Sequence, residues 1–439
     1  MPRFSVKKMF IIYFFISSCQ KDSLSIVNES DQILSPNVLL VIADDMGVDV
    51  TPNYMTNNVK PSMPNLLNLI SKGLIFNNVW SNSVCSPTRA TILTGKYGFR
   101  TGMLRTSPKN IISNTEVSVF DVFKSSSKNY ATGLIGKWHL SNNASDPIKM
   151  GIDYFAGLTG GGVQSYTNWQ LTENGQTKIS NTYSTSKITD LSISWINNQT
   201  GPWFLWTAYN SPHSPFHLPP NELHKQGNLP SDPNSINSNP FPYYLAMIEA
   251  MDHEMGRLFN SIEKKVLDNT IVIFLGDNGT PSEVVQSYNS RRAKGSIYQG
   301  GIHVPMIIAG KDVSRINQKE DALINASDLF ATICEIAGIK SPPRADSESF
   351  KTLLSSTSSE KRNFIFSEKY NEQNGGIDRA VRNNTHKYII FNNGDEELYN
   401  LHDNELEKPN LMNPSQLPLN KIDQYNKDLL VEELNRILN

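Results

Sequence analysis

The sequence has few cysteines, no excess of either charge and no long apolar run. Each of these absences excludes a class of protein to which the chain could otherwise belong. Three cysteines occur in 439 residues, and a chain this long can bury a core large enough to fold without a disulfide framework. Lysine and arginine total 40 against 42 aspartates and glutamates, a net charge of −2. Nucleic acid is therefore not an expected partner, because a surplus of basic side chains is what holds its phosphates.

The membrane-like stretch of the sequence lies at its start. Basic residues Arg3, Lys7 and Lys8 precede an apolar run over residues 9–16. That run is far shorter than the roughly 20 residues needed to cross a bilayer. Basic residues followed by a short apolar run are typical of an export signal, so the sequence predicts an exported protein.

A cysteine ends this export signal. Ser17 and Ser18 stand directly before Cys19, and the segment resembles a bacterial lipobox, in which the cysteine is acylated. We interpret residues 1–19 as a lipoprotein-type signal peptide and residues 20–35 as a polar tether. The protein would then contact a membrane only through its N-terminal lipid, in the bacterial periplasm or at the outer membrane or cell surface. An ordinary signal peptide with an incidental cysteine is the alternative.

Beyond the tether, apolar runs alternate with helical patterns. Continuous apolar runs are typical of strands buried on both faces, so an α/β fold with a large, mostly parallel sheet flanked by helices is expected. After residue 340 the apolar segments become shorter, which predicts a catalytic domain over 36–340 and a smaller α+β subdomain over 341–439. The predicted strands are Asn37–Ala43, 130–136, Trp203–Ala208, 270–275, 305–309, 362–367 and 387–391, and the predicted helices are 64–72, 243–265 and 424–438.

Acidic side chains follow two of the predicted strands. Asp44 and Asp45 come directly after Asn37–Ala43, and Asp277 and Asn278 follow the apolar run that begins at residue 270. Ligands of open parallel sheets bind beyond the carboxyl ends of the strands, so these oxygens should meet at one edge. Oxygen donors favour a hard cation, Ca²⁺ or Mg²⁺. The alternative is that each pair merely caps a loop or a helix.

Cys85 lies in an unusual local sequence. Pro87 fits the first turn of a helix, which would place Cys85 at the positive N-terminal end of that helix, with Arg89 one turn further on. A thiol in that position should have a lowered pKa. Cys334 lies in an apolar helical pattern, which favours a small buried side chain over a disulfide to Cys85, the other option for an exported protein.

The segment 83–95 also carries a family signature. It has the spacing C-x-P-x-R followed by L-T-G, and four further motifs occur in order downstream. Together they resemble the formylglycine-dependent sulfatases of the arylsulfatase type, within the alkaline-phosphatase superfamily. The resemblance covers about residues 36–412 and implies an alkaline-phosphatase-like fold. The motifs are Cys85, Pro87 and Arg89 with 93–95, then 130–139, 211–213, 294–305 and 397–411.

The resemblance implies a nucleophile that is made after translation. In this family a maturation enzyme oxidises the motif cysteine, here Cys85, to formylglycine, whose hydrate attacks sulfur and expels the alcohol. Splitting the reaction through a covalent intermediate replaces one difficult step by two easier ones. The resemblance assigns Ca²⁺, with Mg²⁺ as the other option, to residue 85 together with Asp44, Asp45, Asp277 and Asn278.

The remaining family roles fall on five side chains. Arg89 and Lys137 would hold the hydrated aldehyde and the developing charge, and His139 would take the proton that triggers elimination of sulfate. His213 and Lys294 would bind the sulfate and protonate the leaving alcohol. The chain departs from the family pattern at Gln299 and His303, where glutamate and arginine are common, so any substrate contact at those two positions is in doubt.

These features predict a hydrolase that removes sulfate from a sulfated carbohydrate or an aryl sulfate. The carbohydrate follows from the export signal, because an enzyme outside the cell meets polymers that cannot enter it. One alternative is a phosphonate or phosphate ester hydrolase of the same superfamily. Another is a catalytically silent lipoprotein that binds sulfated glycans.

Overall fold

The computed structural model describes residues 1–2, 35–106, 111–357, 362–373 and 375–439. The predicted signal peptide and nearly all of the predicted tether, with Cys19, lie outside these residues, so both stay predictions. Across the described ranges, every helix is too short or too polar to cross a membrane.

A 10-stranded sheet forms the centre of the fold, in the order β10-β2-β9-β8-β1-β7-β3-β4-β5-β6. All of its strands except β5 and β9 run in one direction. The predicted α/β architecture is confirmed. The strands are β1 Asn37–Ala43, β2 Gly73–Trp80, β3 Ala131–Lys137, β4 Tyr154–Leu158, β5 Trp169–Glu173, β6 Gln176–Ser180, β7 Trp203–Ala208, β8 Thr270–Gly276, β9 Met306–Gly310 and β10 Gln318–Asn325.

Helices cover both faces of this sheet. Every residue of β1, β7 and β8 is buried, and alternate side chains of each strand enter two different apolar clusters. The continuous apolar runs in the sequence arise from this double burial. The helices are α1 Pro64–Ser71, α2 Cys85–Thr94, α3 Gly98–Thr101, α4 Val119–Ser125, α5 Asp146–Lys149, α6 Ser184–Asn197, α7 Pro233–Ser238, α8 Phe241–Ser261, α9 Lys264–Leu267, α10 Gln299–Ile302, α11 Asp328–Ile336 and α12 Lys421–Leu438.

The C-terminal part forms a separate antiparallel sheet, confirming the expected smaller α+β unit. Its four strands are β11 Ile365–Tyr370, β12 Ile377–Arg382, β13 His386–Ile390 and β14 Glu396–Asn400, in that order. Helix α12 packs Leu430 and Leu434 onto this sheet. All four strands follow residue 340, although the boundary between 340 and 341 itself stays a prediction.

The sequence did not indicate the direction of β9 or the presence of β2. Strand β9 was expected from its apolar run, but it lies antiparallel between β8 and β2. Strand β2 follows directly after α1, where the sequence analysis predicted only a helix over 64–72. An apolar run shows that a strand is buried, but strands of either direction can be buried on both faces.

A buried ion pair joins the C-terminal sheet to the rest of the fold. The Lys387 ammonium lies 2.6 Å from the Glu407 carboxylate, with both side chains fully buried. Lys387 also donates to the carbonyl of Ile297 at 2.8 Å, and Glu407 accepts from the backbone N–H of Gln299 at 2.9 Å. The pair therefore fixes the segment that follows Lys294.

We predict that Lys387→Met strongly destabilises the protein. The substitution leaves the Glu407 carboxylate buried without its cation, which costs about 3–5 kcal/mol for pairs of this kind. Denaturant unfolding should show this loss. The control is Lys264→Met, which removes the exposed Lys264–Asp268 pair and should leave the unfolding midpoint unchanged. Equal stability of the two variants would contradict the prediction.

Candidate active site

The candidate site lies at the carboxyl ends of four neighbouring strands. In the sheet, β8, β1, β7 and β3 follow one another, and each is followed by a predicted site residue. The ends of these strands lie at the same level, because Ala43 of β1 pairs with Gly276 of β8 and Ala208 of β7 pairs with Gly136 of β3. The structure thus brings Asp44, Asp45, Asp277 and Asn278 to one edge, as the strand-end argument expected.

The acidic residues after β1 and β8 contact one another directly. The backbone N–H of Asp45 donates to the Asp277 carboxylate at 3.1 Å, and the Asn278 amide donates to the Asp45 carboxylate at 2.8 Å. Asp45 adopts a left-handed backbone with φ of 70°. Such strain is uncommon for a residue other than glycine and is concentrated at functional sites.

Helix α2 presents Cys85 to this cluster. The helix begins at Cys85, as predicted, and ends at Gly95, which has a φ of 66°. The Cys85 sulfur lies 3.1 Å from Nδ1 of His139 and 3.5 Å from the Lys137 ammonium. Arg89, one turn on, is buried and places its guanidinium 2.7 Å from the Asp277 carboxylate. The Cys85 sulfur therefore has an imidazole and an ammonium as direct neighbours.

The end of β3 supplies those two neighbours. Lys137 is its last residue, and its ammonium lies 2.5 Å from the Asp44 carboxylate. His139 has a φ of 56°, and its carbonyl accepts a hydrogen bond from the Ser86 hydroxyl at 2.8 Å. This bond ties the His139 turn to the first turn of α2, which holds the imidazole beside Cys85.

Two further side chains of the site lie beside Asp45. The Lys294 ammonium lies 2.6 Å from the Asp45 carboxylate, and Nε2 of His213 lies 3.8 Å from the same group. The backbone N–H of Gly295 donates to the carbonyl of Ser83 at 2.8 Å. The Lys294 segment is therefore attached to the segment that precedes Cys85.

An open cavity of about 340 Å³ leads to these groups. Cys85, His139, His213 and Lys294 line it, together with six residues that the sequence analysis did not identify. Because those six carry no charge, no rule about acids, bases or metal ligands could have selected them. They are Val84, Thr106, Leu140, Ser141, Asn142 and Gly161.

The electrostatic expectation for Cys85 was wrong. Burial raises the pKa of the thiol, and the Lys137 ammonium only partly opposes that rise. The helix N-terminus was expected to lower this pKa, but a thiolate without water is costly to form. Cys85 and Cys334 are both free and buried, so the alternative of a disulfide between them is also wrong.

Burial and charge act in opposite directions on the site carboxylates. Burial alone would raise the pKa of Asp45, but Lys294 and His213 outweigh it and lower the pKa below its usual range. For Asp277, burial raises the pKa to about 6, and the nearby Asp44 adds to the rise. A buried carboxylate stays ionised only when positive charge lies close to it.

The two histidines are neutral at neutral pH, whereas Lys294 is charged. Burial lowers the pKa of His213 to about 4, against the opposite effect of Asp45. Burial and the Lys137 ammonium lower the pKa of His139 well below its usual range. Burial alone would lower the pKa of Lys294, but Asp45 raises it above the usual value. The site therefore presents a neutral imidazole at His139 and an ammonium at Lys294.

The acidic residues fit a hard cation. Two buried oxygens, Oδ1 of Asp44 and Oδ1 of Asn278, have no hydrogen-bond partner, although buried polar atoms are nearly always paired. Single ligand atoms of Asp44, Cys85 and Asp277 lie within 4.8 Å of one another, as do those of Asp44, Asp45 and His213. Free carboxylate and amide oxygens are the donors that Ca²⁺ and Mg²⁺ take.

The two positions that depart from the family pattern lie outside the cavity. Gln299 is buried and accepts a hydrogen bond from the Trp80 indole at 2.8 Å. His303 is also buried, with Nε2 2.7 Å from the carbonyl of Asn77. Both side chains therefore act in packing, which is consistent with the doubt about substrate contacts there.

Comparison with protein families agrees with this geometry. A family model described as Sulfatase matches residues 36–339. The chain belongs to the sulfatase family. A second model, described as N-sulphoglucosamine sulphohydrolase, C-terminal, matches residues 291–434. The resemblance inferred from the motifs is therefore confirmed over most of the described chain.

Similar sulfatases occur in bacteria and animals. The chain is 27% identical to the uncharacterized sulfatase YdeN of Escherichia coli (strain K12), over 70% of this chain and 63% of that protein. It is 26% identical to arylsulfatase J of Mus musculus, over 69% of this chain and 52% of that protein. An ulvan-active sulfatase of Formosa agariphila is 25% identical over 78% of this chain and 70% of its own length.

Solved structures confirm the fold. The structure of Ps i-CgsB in complex with k-i-k-neocarrahexaose has a TM-score of 0.74 and 23% identity, and the match covers 92% of each chain. BT4656 in complex with D-glucosamine-2-N,6-O-disulfate has a TM-score of 0.75 and 19% identity, covering 92% of this chain and 98% of that one. At these identities the comparison concerns architecture alone.

We predict that the chelator-treated protein binds a divalent cation at this site. Calorimetric titration with Ca²⁺ or Mg²⁺ should give a single site per chain. Asn278→Ala removes an unpaired buried oxygen and should weaken binding by more than about tenfold, since even outer partners of metal ligands contribute about 10–100-fold. Asn198→Ala, at an exposed amide after α6, is the control. Equal affinity in both variants would place the cation elsewhere.

Proposed function

We propose that this protein hydrolyses sulfate esters, with a nucleophile made from Cys85. The observation that carries the proposal is the surroundings of the Cys85 sulfur. It lines the cavity, 3.1 Å from a neutral histidine and 3.5 Å from the Lys137 ammonium. Family membership supports the same activity.

Formylglycine is the form of residue 85 that this proposal requires. Once formed and hydrated, it supplies one hydroxyl that attacks sulfur and a second whose deprotonation expels the sulfate. An unmodified Cys85 fits this chemistry poorly, because burial holds its thiol protonated. A formylglycine-generating maturation enzyme is therefore a proposed partner.

His139 is the proposed base beside the nucleophile. Nδ1 of its imidazole faces residue 85, and burial keeps the ring neutral. The hydrogen bond between Ser86 and the His139 carbonyl holds the ring in this place. A base positioned in this way contributes about 10²–10⁴-fold to the rate of proton transfer.

Lys294 and His213 are the proposed contacts for the sulfate and the leaving alcohol. Nδ1 of His213 lies 2.7 Å from the carbonyl of Ser214, so Nδ1 carries the proton and Nε2 faces the site. Lys294 is protonated at neutral pH, so it offers an ammonium to the sulfate and the leaving alcohol. Both residues line the same cavity as His139.

The cations of the site match an anionic substrate. Arg89, Lys137 and Lys294 balance the three carboxylates of Asp44, Asp45 and Asp277. A bound Ca²⁺ or Mg²⁺, held by those carboxylates, Asn278 and residue 85, would polarise sulfate oxygens and leave the site with a positive excess. Fixed positive charge at the place where negative charge develops is a large source of catalysis.

A sulfated carbohydrate is the proposed substrate class. Among the relatives, one is named an ulvan-active sulfatase and another an N-acetylgalactosamine-6-sulfatase, and the export signal predicts that this chain meets polymers outside the cytoplasm. The neutral hydroxyl and amide groups of Thr106, Ser141 and Asn142 line the cavity and suit the hydroxyls of a sugar.

We expect Cys85 to be converted to formylglycine when the protein is made with a competent maturation enzyme. Peptide mass spectrometry should then show loss of H₂S and gain of one oxygen in the Cys85 peptide, or the hydrate of that aldehyde. The Cys334 peptide, from the same digest, should keep its unmodified thiol. An unmodified Cys85 under these conditions would remove the proposed nucleophile.

We expect His213→Ala and Lys294→Ala to lose catalysis without unfolding. Turnover of an aryl sulfate by the matured protein should fall by about 10²–10⁴-fold, the usual contribution of a positioned acid or base, while both variants stay folded at the assay temperature. Lys294→Ala should nevertheless melt at a lower temperature than the parent, because it leaves the buried Asp45 carboxylate without its cation. His402→Ala and Lys311→Ala, at exposed positions, are the matched controls.

The same assay distinguishes the other activities of this superfamily. If the matured parent protein turns over an aryl phosphonate faster than the aryl sulfate, it is a phosphonate or phosphate ester hydrolase. If it binds a sulfated glycan but hydrolyses neither ester, it is a binding protein. Full activity in either site variant would contradict the roles given to His213 and Lys294.

A further inference from the structure

The loop that follows β4 contacts both histidines of the site. It includes three consecutive glycines at positions 160–162. At the start of the loop, the carbonyl of Thr159 accepts a hydrogen bond from the backbone N–H of His139 at 3.1 Å. Four residues after the glycines, Tyr166 is buried beside the turn that carries His213.

Gly161 leaves room for the His139 ring. A Cβ added at Gly161 would lie 2.4 Å from Nε2 and 2.6 Å from Cε1 of His139, a separation that real structures essentially never show. Nδ1 on the opposite side of the same ring is 3.1 Å from the Cys85 sulfur. The imidazole is thus confined between the glycine backbone and the nucleophile position, and any side chain at 161 would push it toward residue 85.

The same loop fixes the turn of His213. The Tyr166 hydroxyl lies 2.7 Å from the carbonyl of Asn210 and 2.6 Å from the carbonyl of His213. The Tyr166 ring also stacks on His217, with centroids 4.1 Å apart. Because one phenol reaches both carbonyls, it fixes the two ends of the turn from Asn210 to His213.

We propose that Gly161 and Tyr166 are positioning residues, which set the places of His139 and His213 relative to residue 85. The catalytic consequence of this inference rests on the proposed function, but the positions of the two histidines can be tested without measuring activity. Gly161 acts by lacking a side chain, and Tyr166 acts through the backbone carbonyls of the His213 turn. One loop thereby positions both the proposed base, His139, and the turn that carries the proposed sulfate contact, His213.

Glycine 160 provides a matched control for Gly161. A Cβ added at Gly160 would meet only the Asn142 side chain, at an ordinary distance of 3.5 Å. Both glycines have half-buried positions in the same loop, so the substitution to alanine costs each about the same backbone freedom. Tyr183→Phe is the control for Tyr166→Phe, because Tyr183 lies in the same aromatic cluster but bonds His217 through its hydroxyl.

The first measurement is NMR of selectively labelled histidine side chains in the full-length protein. We expect Gly161→Ala to move the signals of His139 and not those of His213, and Tyr166→Phe to do the reverse. Gly160→Ala and Tyr183→Phe should leave both sets of signals in place. Identical spectra for Gly161→Ala and Gly160→Ala, or for the two tyrosine variants, would overturn the proposal.

The second measurement is turnover of an aryl sulfate by the matured variants. Gly161→Ala should lower kcat by about 10²-fold, the loss typical of a group displaced by about 1 Å, at the melting temperature of Gly160→Ala. If Gly161→Ala keeps full kcat, the proposed positioning has no catalytic consequence. If instead the matured parent is inactive, the proposed function fails, and the NMR comparison still decides the placement of the histidines.

Discussion

Burial of three carboxylates at one sheet edge is the constraint on which the site depends. Asp44, Asp45 and Asp277 are almost completely inaccessible to water, and charges in such a place are tolerated only when paired. Each has a cation from a different element: Lys137 from β3, Lys294 from the segment after β8, and Arg89 from α2. Charge balance therefore joins elements that are distant in sequence.

The sequence alone predicted the parts of the site that strand ends and a family signature determine. Asp44 and Asp277 were found because apolar runs end at them, and Cys85 and Arg89 because their spacing is specific. Thr106, Gly161 and Tyr166 were missed, because a neutral residue contributes through shape or through a backbone contact. The pKa of Cys85 was mispredicted because a helix N-terminus can be recognised in a sequence, whereas the burial around it cannot.

The same distinction applies to the fold: strands with a local sequence signal were predicted, and strands without one were missed. Strands β1, β7 and β8 were found because burial on both faces makes them continuously apolar. Strands β5 and β6 are short and partly exposed, so they give no such signal. The direction of β9 depends on which neighbours it joins, and pairing between distant segments leaves little trace in local composition.

The buried pair of Lys387 and Glu407 affects the order in which the parts of the fold can reach their final positions. The ribosome makes a chain from its N-terminus, so Cys85 and Lys294 emerge well before this pair. The pair holds the carbonyl of Ile297 and the N–H of Gln299, just after Lys294. A nascent chain would thus contain every proposed catalytic side chain while the segment bearing Lys294 still lacked its anchor, and the cavity would take its final shape only after the C-terminal sheet had docked.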